Sequence, residues 1–326
     1  MIISRTPYRI SFFGGGTDYP KWYEEHDGSV LSATINKYSY ITCKVIPQIF
    51  DYKYRLRYFK TEQVDEIDQI NHPSFRESLR FHKINEPLEL VHTGDLPAGT
   101  GLGSSSSFTV GLVNILNAHL NNHISKRKLA LDSINIEQNF IKECVGSQDQ
   151  VACSFGGLNN IKFNKSNVFE VNPIVVNNST IKNLEDHLCL FFTGFTRNAS
   201  SIAQDQINNL SKNYTSLNEL KDQVDLAIDL LYKNNINDFG KLLNEQWRLK
   251  KSLSCKISST FIDSAYDKAM SLGALGGKIL GAGSGGFLIF IIDPNFKEKL
   301  ISKMDNLHYV PINFENLGSQ IIYYSR

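Results

Sequence analysis

The sequence predicts an α+β protein of two domains, and three observations carry that prediction. The chain has 326 residues, more than one small core organises. Strand-like and helix-like hydrophobic patterns alternate within each half, with no internal repeat. An asparagine-rich stretch, Asn177-Asn178-Ser179-Thr180, reads as the linker and gives domains 1–178 and 179–326.

In the first half, residues 2–13 read as two short strands broken at Pro7, because proline donates nothing to a sheet ladder. Three glycines follow at 14–16, which brings the backbone close to another segment or to a ligand. Aromatic and β-branched residues predict strands at 29–35, 38–46 and 52–58. A strand at 88–92 feeds a glycine- and serine-rich run, and the apolar stretch 108–120 behind it predicts a buried helix. Ser125 is placed to cap a helix running to about residue 143, with Leu129, Ile134 and Ile141 on its inner side. The segment 146–150 interrupts it, Gly156-Gly157 ends the next helical piece, and strands at 158–163 and 169–171 close the half.

The second half opens with a strand at 188–193 and a helix around 198–210. Leu217, Leu220, Val224, Ile228 and Leu231 recur at three- and four-residue steps, the signature of an amphipathic helix. Helices follow at 239–253 and 259–272, the latter stopped by Gly273. A strand at 287–292, a helix at 296–304 and strands near 309 and 321–324 complete the chain.

Hydrophobic residues make up 41% and charged residues 21%, the balance of a globular protein. Net charge is +1, so no polyelectrolyte partner is needed to explain the composition, and nucleic acid is disfavoured as the main ligand. Five cysteines, odd in number and without C-x-x-C spacing, read as reduced thiols rather than a disulfide frame or zinc site. No apolar signal core stands at the start, and the apolar run 287–292 is too short for a bilayer. The expectation is a soluble cytoplasmic protein with no membrane partner. A homodimer is compatible with the sequence.

The stretch from Leu96 to Phe108 carries the chemistry. Gly99, Gly101 and Gly103 precede four serines, Ser104 to Ser107, and the predicted helix. A glycine bend opening into a helix gathers unpaired N–H groups and the positive end of the helix dipole, a place for phosphate. No lysine follows the glycines, so this is not a P-loop, and Ser104 and Ser106 stand where a dinucleotide fingerprint needs glycine. Positive charge must then come from elsewhere. Serine hydroxyls can hold Mg²⁺ with a carboxylate companion, for which Glu137 and Asp149 are candidates. A solvated helix face explains Glu137 equally well. The cluster 281–286 spells G-x-G-x-x-G but precedes a strand, which disfavours a nicotinamide enzyme. A tight turn and a ligand contact both remain open there.

Pro97-x-x-x-Gly101-Leu102-Gly103-Ser104-Ser105-Ser106 resembles the second signature of the GHMP kinases (galactokinase, homoserine kinase, mevalonate kinase, phosphomevalonate kinase). Residues 5–19 resemble the first signature and residues 278–287 the third, in the family's order and spanning nearly the whole chain. The resemblance implies a two-domain architecture, an N-terminal ribosomal-S5-like domain and a C-terminal ferredoxin-like domain, with the active site between them. It implies ATP and Mg²⁺. Gly99, Gly101, Leu102, Gly103, Ser104, Ser105 and Ser106 would wrap the ATP phosphates, and Ser105 and Glu137 would ligate Mg²⁺. The spacing from Glu137 to Asp149 is one residue longer than in mevalonate kinase. Asp149, in Gly146-x-x-Asp149, would be the general base, with Arg9 as its counter-charge. A helix N-cap is the bland reading of Asp149, and a structural ion pair that of Arg9. Gly14, Gly15, Gly16, Thr17 and Asp18 would meet the sugar, as would Gly283 and Ser284.

The Gly-Gly-Gly-Thr-Asp segment replaces the Gly-Glu-His that precedes Thr-Asp in galactokinase. With residues 145–150 and 192–197 it is similar to the bacterial D-glycero-D-manno-heptose 7-phosphate 1-kinases and to fucokinase domains. This implies phosphorylation of the anomeric hydroxyl of a small-molecule sugar phosphate, feeding nucleotide-activated heptose for surface polysaccharide. Such a substrate needs a second anion site, for which Arg197 is the candidate. An L-fucokinase-like enzyme and a non-catalytic sugar and ATP sensor on the same fold are the alternatives.

Overall fold

The computed structural model describes residues 1–165, 169–196, 199–210 and 212–325. The first half runs β1 (Ile2–Phe13), α1 (Pro20–Tyr23), β2 (Gly28–Val45), β3 (Tyr54–Arg57), β4 (Thr61–Val64), α2 (Pro73–Phe81) and β5 (Leu88–Gly94). It continues with α3 (Ser104–His119), α4 (Lys126–Asn135), a π-helical turn at Ile136–Phe140, α5 (Gln148–Phe155), β6 (Leu158–Phe163) and β7 (Phe169–Pro173). The second half begins with α6 (Asn178–His187), β8 (Leu188–Phe192), α7 (Ala199–Asn208), α8 (Tyr214–Tyr232) and α9 (Ile236–Ser252). It ends with α10 (Thr260–Ser271), β9 (Ala274–Ile279), β10 (Phe287–Ile292), α11 (Pro294–Lys303), β11 (His308–Val310) and β12 (Gln320–Tyr324).

These elements form two sheets, as an α+β protein of two domains requires. The first follows the order β12-β1-β2-β5-β3-β4, with β6 also on β2 and β7 on β6. Its pairs are antiparallel except β3 with β5. The second is β11-β8-β10-β9, all antiparallel. Phe12 of β1, Leu243 of α9 and Ile289 of β10 share one buried cluster, so the two domains pack through a common core.

Four expectations are corrected. Residues 2–13 form one strand, because a register shift between Pro7 and Tyr8 against β2 absorbs the proline. Residues 29–35 and 38–46 lie in one long β2. Its first half pairs with β6 and is buried throughout, its second pairs with β5 and alternates, and the half-buried residues 36–38 mark the change of partner. The helix capped by Ser125, whose side chain accepts from Lys128 N at 3.2 Å, leaves α-geometry after Asn135 and passes into the π-turn. The asparagine-rich stretch is the start of α6, with Asn177 at its N-cap position. A single cut between 178 and 179 also leaves out β12, which returns to pair with β1 in the first sheet. Among the described residues no helix is long and apolar enough to cross a membrane.

Candidate active site

The glycine–serine loop joins β5 to α3. At Gly101 φ is +82°, and a Cβ there would stand 2.2 Å from the carbonyl oxygen of Leu280, so the position takes no side chain. What presses on it is the turn between β9 and β10, whose Phe287 N–H donates to Thr100 O at 3.1 Å. The letters G-x-G-x-x-G form the connection between β9 and β10 that buttresses the first loop. Ser104, Ser105 and Ser106 form the first turn of α3 and, with Gly99, Gly101 and Gly103, line a cavity of about 250 Å³ between the two domains, as do Gly281 and Ala282 of that connection. Helix N–H groups without partners make that rim a site for anions.

Arg9 and Asp149 meet across this cavity from β1 and the first turn of α5. Arg9 Nε donates to Asp149 Oδ1 at 2.6 Å and Nη2 to Oδ2 at 2.7 Å, a two-pronged pair. Its Nη1 donates to Gly101 O at 2.7 Å, which fixes the pair to the loop. A Cβ built on Gly103 would lie 3.3 Å from Asp149 Oδ2, so the carboxylate sits beside the start of α3. The Arg9 side chain is 4% exposed and that of Asp149 23%, leaving the carboxylate open to a ligand.

Asp18 faces the same space from the turn after β1, with Gly15 and Gly16 beside it. Gly16 N–H donates to Asp18 Oδ1 at 3.1 Å. Burial, with the charge of Asp149 nearby, raises its pKa above the usual carboxylate range. Two residues that the sequence reading did not single out complete this wall. Ser11 and Gln148 line the cavity, and Ser11 Oγ and Gln148 Oε1 are buried without a hydrogen-bond partner among the described residues.

Glu137 lies behind the serines rather than on the cavity wall. It is held in the π-helical turn, which is wound one residue wider than an α-turn. Its hydroxyl partner is Ser106, which donates to Glu137 Oε2 at 2.9 Å, while Ser105 is exposed on the rim. Glu137 Oε1 makes no hydrogen bond among the described residues, and burial pushes the carboxyl pKa up to about 7. A buried carboxylate oxygen without a partner, next to serine hydroxyls, suits a hard divalent cation. No cluster of three or more His, Cys, Asp or Glu stands among the described residues, so phosphate and water oxygens would fill the remaining positions.

Basic side chains reach the cavity from outside the loop. Lys250 of α9 and Lys278 of β9 line the cavity with Arg9. Lys278 Nζ donates to Ser11 O at 3.0 Å and Phe12 O at 2.9 Å, tying β9 to β1. Burial, reinforced by Lys250 and Arg9, holds its pKa well below the usual lysine value. Lys250 escaped the sequence reading, although it continues the apolar stripe of Phe239, Leu243 and Trp247 on α9.

Other expected residues stand elsewhere. Gly283 and Ser284 are turned away from the cavity, because Ser284 N–H donates to Ile257 O at 2.8 Å and its hydroxyl to Lys256 O. Thr17 is buried, its hydroxyl donating to Gly14 O at 2.8 Å and Ser29 O at 3.1 Å, and Gly14 packs on that same Ser29 carbonyl. Leu102 is a core residue whose carbonyl accepts from Arg9 N–H at 3.0 Å. Arg197 lies outside the described residues.

Comparison with known proteins identifies the family. Residues 74–157 match the GHMP kinases N terminal domain, and residues 227–310 match the GHMP kinases C terminal domain. A D-glycero-alpha-D-manno-heptose 7-phosphate kinase of Campylobacter jejuni is 31% identical over 93% of this chain and 93% of its own. A galactokinase of Pyrococcus furiosus is 28% identical over 90% of this chain and 89% of its own. In fold, the chain superposes with a TM-score of 0.82 on the crystal structure of a D-glycero-D-manno-heptose 1-phosphate kinase from Bacteroides thetaiotaomicron, at 22% identity and with 100% of both chains covered. The chain belongs to the GHMP kinases, and it is an ATP-dependent phosphotransferase acting on an alcohol group of a sugar.

Proposed function

We propose that this kinase phosphorylates the anomeric hydroxyl of D-glycero-D-manno-heptose 7-phosphate, giving the 1,7-bisphosphate for nucleotide-activated heptose. The observation that carries the reading is the 31% identity, over 93% of both chains, to the Campylobacter heptose 7-phosphate kinase. It is supported by Gly15 and Gly16, which line the cavity beside Asp18 without side chains and leave room for a long sugar.

In this reading residues 1–178 together with β12 form the ATP-binding domain, and the rest of 179–326 the second domain. The loop 99–106 and the first N–H groups of α3 hold the triphosphate, and Asp18, with Ser11 and Gln148, orients the sugar hydroxyls. Asp149 takes the proton as the anomeric oxygen bonds to the γ-phosphorus and the bond to the β-phosphate oxygen breaks, releasing ADP. Arg9 keeps the carboxylate pointed at that proton through its two N–H bonds. Mg²⁺, held by Glu137 with Ser105 and Ser106, would neutralise charge on the phosphates.

The test is product formation from ATP and Mg²⁺ across heptose 7-phosphate, L-fucose and D-galactose, with the phosphorylated carbon identified by phosphorus NMR. The heptose phosphate is expected to give the highest kcat/KM, and Asp149→Asn to lower kcat about 10²–10⁴-fold. Preference for L-fucose would favour the fucokinase reading, which has support in a 24% identical Arabidopsis thaliana bifunctional fucokinase/GDP-fucose pyrophosphorylase. Binding of ATP and sugar without turnover would make the protein a sensor.

A further inference from the structure

The glycine–serine loop carries no lysine, yet the charge of a triphosphate must be met. Lys250 reaches the loop from the other domain. It is the last inward-facing residue of α9 and only 6% exposed. Its Nζ donates to Gly281 O at 2.6 Å and forms no ion pair among the described residues. Gly281 is pressed on the loop, since a Cβ there would stand 2.5 Å from Gly101 Cα. Arg9 Nη1 holds the carbonyl of that same Gly101. The ammonium and the guanidinium therefore approach one point of the loop from opposite domains, both on the wall of the same cavity.

An ammonium has three protons to donate, and burying it with protons left over is costly unless an anion arrives. We propose that Lys250 binds the phosphoryl group in transfer and supplies the positive charge that the loop lacks. A phosphate at the far end of the acceptor would be held a sugar's length from the reacting hydroxyl, whereas Lys250 shares the cavity wall with Arg9 and Asp149 and feels the charge of Arg9. The charged and titratable groups that face it are Arg9 from β1, Asp18 from the turn after β1, and Lys278 from β9. Burial and the charge of Arg9 push its pKa down to about 8, only partly opposed by Asp18. The inference rests on the phosphotransferase activity and not on the heptose reading, so it is tested with whichever sugar the protein turns over.

Lys250→Met is expected to lower kcat about 10²–10³-fold, with KM for ATP and for the sugar within about threefold of wild type. Lys250→Arg keeps the charge and should retain most of the activity. Wild-type kcat/KM should fall as pH rises through about 8, where the free enzyme loses this proton, and Lys250→Arg should remove that limb. An unchanged kcat in Lys250→Met overturns the proposal. So does a loss confined to KM for a phosphorylated sugar, which would make Lys250 an anchor for the acceptor's own phosphate. Thermal melting and binding of a fluorescent ADP analogue establish that Lys250→Met folds. If it does not, the pH profile of Lys250→Arg decides, and an alkaline limb unchanged from wild type overturns the proposal.

Discussion

Position 146 has room for a hydrogen atom and nothing larger. A Cβ there would lie 1.9 Å from Asp18 Oδ2, so any side chain must push that carboxylate aside. Asp18 is held in place by Gly16 N–H, and its neighbour Ser147 N–H donates to Asp18 O at 2.9 Å. Gly146→Ala is therefore expected to raise KM for the sugar about tenfold or more, since a hydrogen bond to a charged group is worth about 1.5–3 kcal/mol. KM for ATP should stay near wild type. Steady-state kinetics with each substrate varied in turn check this, and an equal rise in both would place Asp18 outside the sugar site. That Arg9, Asp18 and Asp149 share one cavity was legible because each sits in a contiguous motif. Lys250 was not, because a lone lysine in a helix looks like solvated charge, and only its spacing from Leu243 and Trp247 marks it as inward-facing. Gly283 and Ser284 show the converse, since belonging to a motif did not bring them to the cavity.

Helix α3 holds the serines in place, and its packing depends on two histidines that must stay neutral. His92 of β5 and His72 at the N-cap of α2 both pack on Phe108, with ring centroids 4.9 and 5.0 Å away. Burial holds His92 down at about 4 and lowers His72 as well. The unfolded chain takes up these protons near the ordinary histidine value, so it binds more protons than the fold between about pH 6.5 and 4. Stability is then fully present above that window and falls as pH drops through it, by up to about 3 kcal/mol for His92. Glu137, raised to about 7, works in the opposite direction over the same range, so the reading is a difference: between pH 7 and pH 4.5 the melting temperature of the wild type should fall relative to that of His92→Gln. Equal slopes in the two proteins would remove His92 from the account. Hydrophobic periodicity revealed the helix itself. It did not reveal the π-turn after α4, because the extra residue leaves the apolar pattern readable as one continuous helix.

At the scale of the whole molecule, the chain closes on itself. β12 pairs with β1 from Ile2 opposite Tyr324 to Arg5 opposite Gln320, and Ser325 N–H donates to Met1 O at 2.9 Å. Ser319, just before β12, adds contacts with Thr6 at 2.8 Å, Asn114 of α3 at 3.0 Å and Cys153 O of α5 at 2.9 Å. Apolar residues at 321–324 predicted a strand, but a pairing between the two ends of the chain leaves no local pattern, so the sheet it joins could not be read. Two domains split at 178/179 would lose only second-domain structure when the last eight residues are removed. The observed pairing requires the opposite. Truncation after Gly318 should bare the edge of the strand that carries Arg9, leaving its N–H and C=O groups unpaired. Melting temperature is expected to fall by several degrees, with light scattering rising as exposed edges associate. Hydrogen exchange gives the decisive reading. Amides of β1 and α3 should lose protection while those of β10, central in the second sheet, keep theirs. Loss of protection in β10 with β1 unchanged would mean that β12 does not support the first sheet. The expected pattern would make the last strand a determinant of where Arg9 stands relative to Asp149.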